Sequence, residues 1–226
     1  MEHLVRRIEH TNLSPIATRR HISRLCDEAR TIGCAAVCMN PIHVPLAVEL
    51  CAATQTRVCT VVGFPTGAHH TKVKMEEASR AVGDGASEVD MVANHALLLQ
   101  DELSAYAADI RCVRQAVGDE ITLKVIIEAS QLSEEDIVRA ALAAEQSGAN
   151  YVKTSTGMYG QARIEDVQLL RRVLQPATQI KAAGGINDAM FALQLIEAGA
   201  DRLGMSKTLD VIGGIRSESR VQERRS

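Results

Sequence analysis

The chain of 226 residues is long enough for one sizeable hydrophobic core and short for two independent ones. Hydrophobic residues make up 46% and charged residues 23%, while aromatics are 2% with no Trp, so the core has to be built from Ala, Val, Leu and Ile. A formal charge of −3 with a pI near 6.2, and no interleaving of aromatic with basic residues, argue against a nucleic-acid surface, and no stretch approaches the ~18 apolar residues of a membrane span.

The N-terminus, Met1-Glu2-His3-Leu4-Val5-Arg6-Arg7, has no apolar run after its charges, so a cytoplasmic location is expected. Short β-branched runs then recur. They predict strands near 7–12, 35–39, 57–63, 87–93, 121–128, 150–155, 178–183 and 201–205. Between them lie segments with helix starts and stops. Thr18 to Ile32 ends at Gly33, Pro45 to Ala53 follows Pro41, His70 to Val82 ends at Gly83, and Leu103 to Val117 ends at Gly118. Ser133, with Glu134, Glu135 and Asp136 behind it, opens a helix whose acidic first turn suits the helix dipole and which stops at Gly148. Asn187 or Asp188 caps another helix, which stops at Gly199.

Strand alternating with helix means a parallel sheet, and eight such units fit a closed α/β (β/α)8 barrel. An open doubly wound sheet is the alternative, weakened by the absence of a GxGxxG turn after an early strand. The barrel is expected over 1–212 as a single domain, with the Arg/Glu-rich tail 213–226 solvated or disordered.

The most informative stretch is Tyr151-Val152-Lys153-Thr154-Ser155-Thr156-Gly157, which sets a lysine inside a strand covered on both faces. An ammonium there is costly unless it is paired, neutralised or used chemically. Lys181 repeats the plan, ahead of Ala182-Ala183-Gly184-Gly185. Asp90, Lys124 and Glu128 fall on the two preceding strands, and strands about 4.8 Å apart bring such groups into one mouth. A purely structural ion-pair layer, with Asp90 and Glu128 neutralising Lys124, Lys153 and Lys181, fits the composition equally well. The glycine loops after Lys153 and Lys181 favour a site, because a structural layer has no use for them. Two close ammonium groups disfavour their doubly protonated state, so one amine is released as a nucleophile able to form a Schiff base. Gly184, Gly185, Gly204 and Ser206 follow the last two strands, the usual phosphate-binding region of a barrel.

The motifs Glu9-His10-Thr11, Val37-Cys38-Met39-Asn40-Pro41, Glu88-Val89-Asp90-Met91-Val92, Val152-Lys153-Thr154-Ser155-Thr156-Gly157, Lys181-Ala182-Ala183-Gly184-Gly185-Ile186 and Gly204-Met205-Ser206 together resemble the deoxyribose-phosphate aldolase family. The resemblance runs in order over about residues 7–212. It implies a metal-free barrel lyase, without cofactor, that reversibly cleaves 2-deoxy-D-ribose 5-phosphate to acetaldehyde and D-glyceraldehyde 3-phosphate. It assigns the Schiff base to Lys153. Proton transfer falls to Asp90 and to Lys181, which also lowers the pKa of the nucleophile. Gly157, Gly184, Gly185, Gly204 and Ser206 are the expected substrate and phosphate contacts, with Lys124, Thr154 and Cys38 behind them. The implied partners are a small phosphorylated sugar and a short aldehyde, with no nucleic acid and no membrane, and a homo-oligomer is left open. The rival reading is a catalytically silent phosphosugar-binding barrel of the same fold.

This chain departs from the family pattern in places. Glu9 stands where the family usually has Asp, and Lys207 where a second serine is common. The loop Met158-Tyr159-Gly160-Gln161-Ala162-Arg163 replaces a glycine-rich one, with Arg163 as an alternative charge for the phosphate. The tail has no tyrosine, so no catalytic role for one carries over.

The remaining polar candidates are weaker. Cys26, Cys34, Cys38, Cys51, Cys59 and Cys112 show no CxxC or zinc spacing and read as reduced small hydrophobes, with Cys38 expected to line the pocket without reacting. His69-His70 reads as a polar helix start rather than a metal site. His10 divides evenly between supporting the site and filling the core. Ser155 and Thr156 lack the partners of a serine hydrolase.

Overall fold

The computed structural model describes the backbone of residues 2–223 and the side chains of residues 3–215. Its strands are β1 (Ile8–Asn12), β2 (Ala36–Met39), β3 (Arg57–Val62), β4 (Glu88–Val92), β5 (Thr122–Ile126), β6 (Tyr151–Lys153), β7 (Gln179–Ala183) and β8 (Arg202–Met205). They pair in parallel in sequence order and close, β8 against β1, into a barrel.

The helices are α1 (Glu2–Val5), α2 (Arg19–Ile32), α3 (Val44–Cys51), α4 (Thr71–Gly83), α5 (His95–Leu99), α6 (Leu103–Val117), α7 (Glu134–Gln146), α8 (Ile164–Val173), α9 (Ala189–Glu197) and α10 (Thr208–Glu223). Six of them, α2, α3, α4, α6, α7 and α9, lie where the sequence predicts. Their ends follow local chemistry. Gly33 closes α2 at φ 84°, a left-handed conformation that costs a side-chain-bearing residue. Ser133 Oγ accepts from the Asp136 amide at 3.1 Å at the start of α7, and Asp188 does the same for the Phe191 amide at 2.9 Å at the start of α9. The crossover α8 escaped the sequence reading, as did α1 and α5. The stretch expected as a solvated or disordered tail continues as α10 through Glu223, and residues 224–226 lie outside the described ones.

Strand parity divides the molecule chemically. Ile8, Val37, Met39, Val58, Val62, Val89, Met91, Leu123, Val125, Val152, Ile180 and Leu203 point outward into one apolar cluster beneath the helices. Each aliphatic side chain buried there contributes roughly 1.5–3 kcal/mol. Ala140, Ala141, Ala143 and Ala144 let α7 approach the sheet closely, which is how a chain poor in aromatics reaches a dense core. The other parity faces into the barrel and is occupied by Glu9, Glu88, Asp90, Lys124, Lys153 and Lys181, each at most 3% exposed, beside a small apolar cluster of Cys38, Cys59 and Val61.

Candidate active site

Asp90 is the hub of the interior. Its Oδ1 accepts from Lys124 Nζ at 2.9 Å, and its Oδ2 accepts from Lys153 Nζ at 2.7 Å and from Lys181 Nζ at 2.5 Å. Register explains the meeting, since Asp90 lies beside Lys124 across β4 and β5, and Lys153 lies beside Lys181 across β6 and β7. The barrel's stagger sets Lys153 next to Ile126, one inward position nearer the carboxyl end than Lys124.

Below this layer the charges continue. Lys124 Nζ lies 2.7 Å from Glu88 Oε2 and 3.2 Å from Glu9 Oε2, and Lys181 bonds Glu9 Oε1. Arg202 donates to Glu88 Oε2 at 3.1 Å and stacks over the Tyr151 ring at 5.5 Å. Four cations (Lys124, Lys153, Lys181, Arg202) therefore face three carboxylates (Glu9, Glu88, Asp90), one positive charge in excess. Breaking such a buried pair by deleting one partner costs about 3–5 kcal/mol.

Burial opposes the charges on Glu9, Asp90, Lys124 and Lys181, and their neighbours overcome it. Burial alone would raise the Glu9 carboxyl, but Lys124 and Lys181 hold it at about 2. Asp90 is likewise held well below the usual carboxylate range, against burial, by Lys124, Lys153 and Lys181. Lys181 and Lys124 are pushed above the ordinary lysine value by these carboxylates in spite of burial, so both remain ammonium ions. Lys153 has one carboxylate partner and lines the open cavity.

That cavity, of about 600 Å³, opens at the carboxyl ends of the strands. Gly157, Gly184, Gly185, Gly204 and Ser206, the five expected contacts, all line it together with Lys153, and so does Lys207. Gly184 and Gly185 have φ of +98° and +71°, and a Cβ on Gly184 would lie 2.8 Å from Ser155 Oγ. The positive φ and the missing room for a Cβ favour glycine at both positions, so no side chain stands between their backbone and the cavity.

Other expectations need correction. Cys38 does not line the cavity: its parity on β2 turns it into the barrel, where it is fully buried against Cys59 and Val61. Glu128 is not in the lysine cluster. It turns away at φ 47° at the end of β5, where its Oε2 accepts from Thr156 Oγ1 at 2.6 Å and the Thr156 amide at 3.1 Å, fixing the loop after β6. Arg163 pairs with Asp166 at 2.8 Å and stays off the cavity wall. Thr154 is buried and bonds both the carbonyl and the amide of Ala183, tying β6 to β7 behind the lysines.

Sequence reasoning left His10 undecided and Glu28 unseen. The His10 ring, on the cavity wall with Glu28, bridges the buried Thr208 Oγ1 at 2.8 Å and Glu28 Oε2 at 3.0 Å. The only sequence signal was its place in Glu9-His10-Thr11. Oxygen and sulfur atoms of Glu9, Cys38, Cys59 and Asp90 fall within 4.8 Å of one another, a spacing that could suit a cation. Lys124 Nζ stands among them, 3.2 Å from Glu9 Oε2, 3.2 Å from Cys59 Sγ and 2.9 Å from Asp90 Oδ1, and supplies the positive charge itself.

A (β/α)8 enzyme with a lysine–carboxylate cluster under a glycine-walled cavity is the class that fold and site define. The chain belongs to the DeoC/LacD family aldolases, whose model matches residues 6–211, and it is accordingly a lyase. It is 44% identical over 211 residues to a deoxyribose-phosphate aldolase of Brevibacillus brevis, covering 93% of this chain and 95% of that one. It is also 44% identical over 211 residues to one of Aciduliprofundum boonei, covering 92% and 95%. Among solved structures, the aldolase QR15 superposes with a TM-score of 0.90 at 32% identity, covering 96% of this chain and 98% of that one. The tetrameric deoxyribose phosphate aldolase of Aeropyrum pernix superposes with a TM-score of 0.88 at 30% identity, covering 96% and 92%.

Proposed function

We propose that this aldolase cleaves 2-deoxy-D-ribose 5-phosphate through a Schiff base on Lys153, without a metal. The observation that carries the reading is the asymmetry of the cluster: Lys124 and Lys181 are locked as ammonium ions deep in the barrel, while Lys153 alone of the three lines the cavity. The amine at the cavity is the one a substrate can reach.

In the forward reaction Lys153 Nζ adds to the C1 aldehyde of the open-chain sugar, and loss of water gives an iminium. The C3 hydroxyl gives up its proton as the C2–C3 bond breaks, and the bonding pair flows into the iminium to leave an enamine. Glyceraldehyde 3-phosphate departs. Protonation at C2 and addition of water then release acetaldehyde and restore the amine. Asp90 Oδ2 accepts from Lys153 Nζ at 2.7 Å and from Lys181 Nζ at 2.5 Å, so this hydrogen-bonded pair is the group that takes the C3 hydroxyl proton and returns a proton to C2. The iminium nitrogen carries the positive charge that a metal supplies in other aldolases. Expected phosphate contacts are the amides of Gly184 and Gly185, with Gly204 lining the wall beside them, and the hydroxyl of Ser206, just ahead of α10.

Reduction with borohydride in the presence of substrate or acetaldehyde is the direct test. A single covalent adduct at Lys153 is expected. Label on Lys181 with Lys153 unmodified would reverse the assignment, and turnover abolished by a chelator would remove the metal-free mechanism.

A further inference from the structure

The opposite end of the barrel has a second cavity, of about 420 Å³, formed where the strands begin. Arg6, Arg57 and Arg202 line it, and Glu88 is the only acid in its lining. The chemistry of a barrel enzyme sits at the carboxyl end, and side chains ordinarily pack the amino end as a stabilising floor. Here the small residues Ala35 and Ala177 leave the floor open beneath three guanidinium groups.

The charges are not balanced within the cavity. Glu88 is already held by Lys124 at 2.7 Å from inside the barrel, so it cannot neutralise three arginines from below. Arg202, 12% exposed, reaches Glu88 Oε2 at 3.1 Å. Arg57 is 58% exposed and makes only long contacts, 3.4 Å to Thr122 Oγ1 and 3.7 Å to Glu88 Oε1. Arg6 is held by Gln55 Oε1 at 2.6 Å, which fixes its direction without answering its charge. Each guanidinium carries five N–H donors, so most of these donors have no protein acceptor among the described residues.

We propose that this floor is a second binding site, for a small molecule carrying a phosphate or carboxylate, seated between Arg57 and Arg202 with Arg6 closing the rim. The planar forks of arginine match such oxyanions bidentately, and a concave basic site raises the local concentration of anions. The cavity exceeds what one oxyanion fills, which leaves room for the rest of a small ligand. The site is separate from the substrate mouth, divided from it by the layer of Glu9, Glu88 and Lys124.

Calorimetric titration with inorganic phosphate at constant ionic strength tests the proposal by stoichiometry. Two sites per chain are expected for the intact protein. One is expected for Ser206→Asp, which places a negative charge at the substrate mouth, and one for the double variant Arg6→Gln, Arg57→Gln, whose side chains are exposed and leave the core untouched. A single site in the intact protein, or two sites persisting in the double arginine variant, would overturn it. Soaked crystals give an independent readout, since phosphate density against Arg57 is expected and density confined to the Ser206 end would count against the second site.

Discussion

Lys153 and Lys181 donate to one and the same carboxylate oxygen, Asp90 Oδ2, at 2.7 and 2.5 Å. The two amines are thus coupled through a single atom. Whatever changes the charge on one changes the field at the other, and the Asp90 charge opposes both.

That coupling makes opposite predictions for two variants. Lys181→Leu deletes a cation beside Lys153, so the remaining amines hold their protons more tightly and the acidic limb of log kcat/KM moves to higher pH. Asp90→Asn deletes an anion among three lysines, and that limb moves to lower pH while turnover still falls. Lys181→Leu also removes one of the two lysines that hold the fully buried Glu9, leaving Lys124 at 3.2 Å, and is expected to cost about 3 kcal/mol of stability by urea unfolding, the low end for a broken buried pair. Limbs moving in the same direction in both variants would mean that the three groups do not act as one cluster.

The proposed phosphate contacts can be separated from the chemistry. Ser206 is exposed at the cavity rim, so Ser206→Asp adds negative charge with little packing consequence. KM for the phosphorylated sugar is expected to rise at least tenfold, and KM for free 2-deoxyribose to change far less. Substitution of Gly185 is the poorer probe, because at φ +71° a Cβ would lie 2.7 Å from the Gln161 side chain and distort the loop for either substrate.

Stability should fall with acid in two stages. Burial, helped by Lys74, lowers His95 from 6.5 to about 4, so between those values the unfolded chain binds the extra proton. The contribution of His95 is complete above pH 6.5 and is lost as pH falls toward 4. Glu9 titrates near 2 in the fold against an ordinary 4.5, so its contribution is complete above pH 4.5 and is lost only below that, with Asp90 acting in the same direction. Urea midpoints measured from pH 7 to pH 3 are expected to show the first decline in the intact protein and not in His95→Gln. A first decline that survives in that variant would assign it to another group.

The sequence by itself determined the alternation of strands and helices, and through it the barrel. It also marked Lys153 and Lys181 as charges that no covered strand carries without cause. Period and propensity are local, so residues such as Val152 beside Lys153 could be sorted to opposite faces from their spacing alone. The motifs around Lys153, Lys181 and Gly204 carried the family.

What the sequence left open was which acids answer the lysines. Glu128 looked as suitable as Asp90, two residues beyond the end of β5, yet a left-handed turn at φ 47° sends it to Thr156. Glu9 and Glu88 fill the role instead, from strands far apart in sequence. Cys38 went inward for the same reason. Strand parity states that a side chain faces one of two sides, but the stagger on closing the barrel fixes its height along the axis, and so who its neighbours are. That height is a property of all eight strands together, and it exists only once the barrel has closed.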